Sequence, residues 1–173
     1  MDLKALFTDK STKNKEKIEI LFPAILNGEI FANDLLKFAS TAKDPVKASC
    51  IEALEFATKT NPALLDKDLF NFVVDSLSEK APRIKWESAK VIGNTAKHFA
   101  DHLDNAITKL IENTSHEGTV VRWSAAFALS EILNINEDLT TKLLDPLKGI
   151  SEKEEKNSIK KIYQKAIKIA EKK

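Results

Sequence analysis

A single cysteine, Cys50, leaves this 173-residue chain without any intrachain disulfide to staple it. Four Gly and five Pro are too few for a fibrous or disordered chain. No apolar run approaches the roughly 20 residues that cross a bilayer. The opening, Met1-Asp2-Leu3-Lys4, lacks the basic-then-apolar pattern of a secretion signal, so the expectation is a cytoplasmic protein with no membrane partner. Arginine occurs only at positions 83 and 122, against 27 basic residues in all. Phosphate and guanine readers favour the bidentate guanidinium fork, and its scarcity argues against that role. Formal net charge is +1, which supplies no bulk field for a polyanion. The charge is uneven, however: residues 151–173 hold eight Lys and four Glu, a net of +4, leaving −3 for the rest.

What the chain does contain is a repeat. Val46-Lys47 with Cys50, Ala53 and Leu54 recurs as Ile84-Lys85 with Ser88, Val91 and Ile92. It recurs again as Val121-Arg122 with Ala125, Ala128 and Leu129, and more weakly as Glu155-Lys156 with Ile159, Ile162 and Tyr163. The offsets are 38, 37 and 34 residues, the period of a stacked-repeat architecture. Every long segment has helical periodicity, and Gly and Pro fall between segments. Asp44-Pro45, Pro82 and Gly118 open the three clear copies, Asp44-Pro45 as a cap followed by a proline at the first helical position.

Each copy reads as a helical hairpin. The pairs are about Pro45–Lys59 with Lys67–Glu79, Pro82–Phe99 with His102–Asn113, and Val120–Leu133 with Glu137–Lys148. Lys15–Leu26 and Asn33–Thr41 form an irregular N-terminal hairpin behind a short helix over Asp2–Phe7, with Asn27-Gly28 ending its first member. Pro23 and Pro146 are expected to kink or break their helices. The tail predicts one long amphipathic helix, apolar at Ile159, Ile162, Tyr163, Ala166, Ile167 and Ala170. A two-helix unit cannot bury both apolar stripes alone, so the units stack, with atypical caps at the ends. The domain reading is one unit over 1–173: a capping hairpin 1–43, repeats 44–80, 81–117 and 118–150, and a capping helix 151–173.

Asp44-Pro45-Val46-Lys47 and Val121-Arg122-Trp123-Ser124-Ala125-Ala126-Phe127-Ala128-Leu129 resemble the HEAT repeat. Ala81 and Glu155 depart from its pattern. The resemblance implies an all-α, right-handed α-α superhelix of about four to five hairpins, with the second helix of each lining the concave face. It implies a scaffold or adaptor that binds a protein or peptide and is not an enzyme. The alternative is nucleic-acid binding, as in the HEAT-like DNA-alkylation-repair glycosylases. Trp86, Trp123, Arg122 and Lys85 are suitable types for that, but no catalytic aspartate stretch accompanies them. Deoxyhypusine hydroxylase resembles the same architecture, yet its repeated His-Glu pairs are replaced here by Trp86-Glu87 and Trp123-Ser124, so that activity does not carry over.

Candidate residues follow from the register. Trp86 and Trp123 occupy one position in adjacent repeats, opposite the core stripe, and with Phe127 they are the candidate partner-binding residues. Packing of each indole over small neighbours is the competing reading. The recurring cation Lys47, Lys85, Arg122 and Lys156 reads as a structural ladder at helix ends. His98 and His102 stand four apart, but a helix end between them and the lack of a third ligand leave no metal site. No cofactor motif occurs. Cys50 falls on a small core position and should be inert.

Overall fold

The computed structural model describes residues 1–172. It is 79% helical, with ten α-helices and no strand among the described residues. The elements are α1 (Leu3–Thr8), α2 (Asn14–Leu26), α3 (Ala32–Thr41), α4 (Asp44–Thr60), α5 (Lys67–Ser76), α6 (Pro82–Thr95), α7 (Asp104–Asn113), α8 (Thr119–Leu133), α9 (Glu137–Lys153) and α10 (Asn157–Ala170). Short 3-10 turns follow α4 (Pro62–Leu64) and α6 (Ala96–His102). The all-α helical solenoid expected from the repeat is the architecture found.

Local chemistry sets most boundaries. Asp66 and Asn136 cap α5 and α9, accepting from the Leu69 and Leu139 amides at 2.8 and 2.9 Å. Gly28 has φ +72°, the left-handed turn that lets α2 end and α3 begin. Lys43, not Asp44, takes the N-cap of α4, and Asp44 lies in the first turn beside Pro45, where its charge faces the positive helix end. Neither Pro23 nor Pro146 breaks its helix; α2 and α9 run through both. The first helix of copy two stops at Thr95, because Phe99 leaves helical geometry (φ −123°, ψ 27°). His98 and His102 are therefore exposed in a 3-10 segment, where a four-residue spacing no longer aligns them.

Two layers alternate along the chain. The even-numbered helices pack side by side: α2 on α4, α4 on α6, α6 on α8, α8 on α10. The odd-numbered helices lie behind them and touch one another sparsely. The close layer is built from small buried residues. These are Ala48, Ser49, Ala53 and Ala57 on α4; Ser88, Ala89 and Gly93 on α6; and Ser124, Ala125, Ala126 and Ala128 on α8. Helix separation follows the bulk of the side chains at the contact. The even-numbered helices are thus the tightly packed layer, and they share one outward face along the stack.

The tail shows a further correction. The third and fourth helical positions are Val46-Lys47 in α4, Ile84-Lys85 in α6, Val121-Arg122 in α8 and Ile159-Lys160 in α10. The last copy thus begins one helical turn later than Glu155-Lys156 suggests. Tyr163, Ala166 and Ile167, all buried, then match Ala125, Ala128 and Leu129. The spacing becomes 38, 37 and 38 residues. Glu155 and Lys156 belong to the linker between α9 and α10.

One apolar core runs through the stack from Leu3 to Ala170. Ala128 is fully buried within it, so Ala128→Asp is expected to place an unpaired charge in the core and remove the cooperative thermal transition. An unchanged melting temperature would contradict the register. Cys50 is also fully buried, and that burial pushes its thiol up to about 12. Its alkylation at neutral pH should be slow in the native protein and fast in denaturant.

Candidate binding face on the first helices

The recurring cation ties each hairpin together. Lys85 Nζ donates to the Leu77 carbonyl at 2.8 Å and to Asn113 Oδ1 at 3.0 Å, joining the ends of α5 and α7. Arg122 donates to the carbonyls of His116 and Glu117 and pairs with buried Glu154 (Nε to Oε2, 3.0 Å). Lys47 pairs with Glu79 at 2.5 Å and lies 4.9 Å from the Phe72 ring. Lys156 has no place in this row. In the corrected register its equivalent is Lys160, which donates to the Glu152 carbonyl at 3.4 Å. Lys17, at the fourth position of α2, donates to the carbonyls of Phe7 and Asp9 and extends the row to the N-terminal end. Cations at helix C-termini satisfy carbonyls that the helix itself leaves unpaired.

The outward face of the even-numbered helices carries different side chains. Trp86 and Trp123 both stand at the fifth position of their helices, one repeat apart. Trp123 is 40% exposed and stacks on Phe127, with ring centroids 6.1 Å apart and planes 8° from parallel. The Phe127 ring in turn lies over Gly93: a Cβ there would stand 2.5 Å from the ring. Any larger residue at 93 would displace the aromatic pair. Trp86 is half-buried, and its indole N–H donates to Glu87 Oε1 at 2.6 Å.

Beside Trp86 runs a groove of about 690 Å³ between α2, α4 and α6. Its apolar lining is Ile18, Phe22, Phe56 and Trp86. Phe22 and Phe56 meet with centroids 5.7 Å apart, and Phe56 keeps 40% of its surface exposed. Along the α4–α6 seam lies an ionic cluster. Arg83 pairs with Glu52. Lys90 Nζ lies 3.0 Å from Glu87 Oε2 and 3.4 Å from Glu55 Oε2, and both carboxylates are buried. Burial raises the pKa of Glu87 above the ordinary range; the neighbouring Lys90 and the Trp86 N–H oppose the rise.

Phe22, Phe56, Arg83, Lys90 and the three glutamates are not among the residues singled out from sequence. The signal was available for α4. Stepping by four from the tryptophan position gives 48, 52, 56; 86, 90, 94; and 123, 127, 131, which share one face across three helices. Phe22 has no such signal, since the N-terminal hairpin lacks the repeat.

No protein-family model matches the sequence. No curated protein matches it either. Solved structures do. A chain in the complex of CpcE and CpcF of phycocyanin lyase from Nostoc sp. PCC7120 is 19% identical, with 98% of this chain and 97% of that chain covered and a TM-score of 0.69. A designed armadillo repeat protein in complex with the peptide (KR)4 is also 19% identical, with 97% and 73% covered and a TM-score of 0.72. Likeness at this identity shows a shared helical-repeat fold. It also overturns the expectation that this chain is not an enzyme. The same fold, over nearly the whole length, serves in a phycocyanin lyase complex, so the solenoid is no argument against a part in catalysis. Among the described residues, no helix is long and apolar enough to cross a membrane.

The Arg122–Glu154 pair generates a prediction with a definite sign. Burial disfavours the Glu154 carboxylate, but the Arg122 guanidinium and the backbone amides of Lys156 and Glu155 outweigh it and hold its pKa below the ordinary value. A carboxyl depressed in the folded state adds stability above its unfolded pKa of about 4.3 and loses it as pH falls through the folded one. Arg122→Ala should cost about 3 kcal/mol at neutral pH by stranding a buried carboxylate. The deficit should shrink in acid, as measured by urea unfolding across pH.

Proposed function

We propose that this chain is a protein- or peptide-binding module that works through the outward face of its even-numbered helices, with Trp86, Trp123 and Phe127 among its anchors. The carrying observation is the exposed Trp123–Phe127 stack set on Gly93, in line with a groove floored by Phe22, Phe56 and Trp86. Partner affinity concentrates in a few aromatic anchors that bury on binding. The fold likeness to one chain of a two-protein complex and to a peptide-bound designed protein supports the same reading.

Nucleic-acid binding fits this face less well. Over α2–α6 its cations are largely committed: Arg83 to Glu52, and Lys90 to Glu55 and Glu87. A phosphate backbone over α2–α6 would meet carboxylates instead of free cations.

Iodide is expected to quench Trp123 strongly and Trp86 partially, resolved with single-tryptophan variants. Peptides selected from a displayed library against the intact chain should bind the Trp123→Ala, Phe127→Ala double variant at least about tenfold more weakly. The melting temperature should fall but the cooperative transition should persist, because Trp123 keeps 40% of its surface in solvent and Phe127 is only partly buried. Selected peptides that retain full affinity would place binding elsewhere on the solenoid.

A further inference from the structure

The groove between α2, α4 and α6 differs from the rest of the outward face of the even-numbered helices in charge. Its charged lining residues are Glu19, Glu52 and Glu87 against Lys15 and Arg83. Lys15 is a rim residue, largely in solvent and 3.6 Å from Glu19. Arg83 is spent on Glu52. Glu87 has only a shared counter-ion, because Lys90 also serves buried Glu55. The cluster of Glu52, Glu55, Glu87, Arg83 and Lys90 therefore holds one more carboxylate than it has cations. At the other end of the same face, α10 carries exposed Lys161 and Lys165 at its fifth and ninth positions.

We propose that this groove takes an arginine or lysine side chain of an extended peptide, the methylenes lying on Phe22, Phe56 and Trp86 and the cationic head directed at Glu52 and Glu87. The assignment rests on the reading of the outward face of the even-numbered helices as a peptide-binding surface and names the chemistry that one part of it selects. An apolar side chain would cover the aromatics but strip water from the carboxylates without replacing it. An acidic one would add to the surplus. A long cationic side chain meets both demands, since its stem is apolar and its head carries the missing charge. The lysines of α10 repel the same group, so the basic part of the peptide lies over α2–α6 and its remainder runs toward α8 and α10.

Isothermal titration of the full chain with three capped octapeptides tests this: alternating Lys and Arg, all Ser, and all Glu. Saturable binding of the basic peptide alone is expected. It should weaken about tenfold in Glu52→Gln, by loss of one charge-assisted contact, and similarly in Phe56→Ala. Both side chains reach solvent, and circular dichroism melts establish that the variants remain folded. Equal binding of the Ser peptide, or basic-peptide affinity that both variants leave unchanged, would overturn the assignment. So would no binding of the basic peptide. In each of those cases the library-selected peptides and the Trp123→Ala, Phe127→Ala variant decide the wider reading separately, since their contacts lie on α8.

Discussion

Close approach of the even-numbered helices is the constraint on which the rest of this molecule depends. Ala, Ser and Gly at their contacts let four successive pairs lie side by side, and the bulkier odd-numbered layer is left to spread behind them. That close packing decides what the outward face of these helices can carry. With small residues spent on the contacts, large side chains at the fifth, ninth and thirteenth positions have nowhere to go but outward, as Trp86, Trp123, Phe127 and Phe56 do. Gly93 shows the coupling at its tightest: one absent methyl group seats Phe127, and Phe127 seats Trp123.

Stacking alone would leave helix ends uncapped along one edge. The row Lys17, Lys47, Lys85, Arg122 and Lys160 answers this with one long cation per hairpin, most of them donating to carbonyls where a neighbouring helix ends. Lys47 differs, pairing with Glu79 and facing a ring. The row also marks the register more faithfully than the apolar pattern does in the tail. There, Ile159 and Ile162 fit two alignments one helical turn apart, and only the contact of Lys160 with the end of α9 separates them.

The same chemistry has opposite meanings on the two edges of the first helices. Along the capping edge, charges meet carbonyls and single acidic partners and leave little for a ligand. On the outward face, Lys90 is divided between Glu55 and Glu87, and the surplus carboxylate borders a groove with aromatic walls. The likeness to one chain of a lyase complex and to a designed peptide binder shows a shared fold found in very different settings, so the fold by itself names no task.

By itself, the sequence determined the class of fold, the helical hairpins from Asp44 to Lys148 and the shared position of the two tryptophans. Each of these follows from local periodicity, from Pro and Gly punctuation, and from a repeat whose copies lie along one chain. Tertiary structure alone decided that the even-numbered helices form the close layer, because contact between helices a repeat apart is not a property of any one helix. It decided the true start of the last copy, where two alignments one helical turn apart satisfy the same apolar pattern. And it decided the groove: Phe22, Phe56, Trp86, Glu52 and Glu87 lie on three helices and come together only when those helices stack.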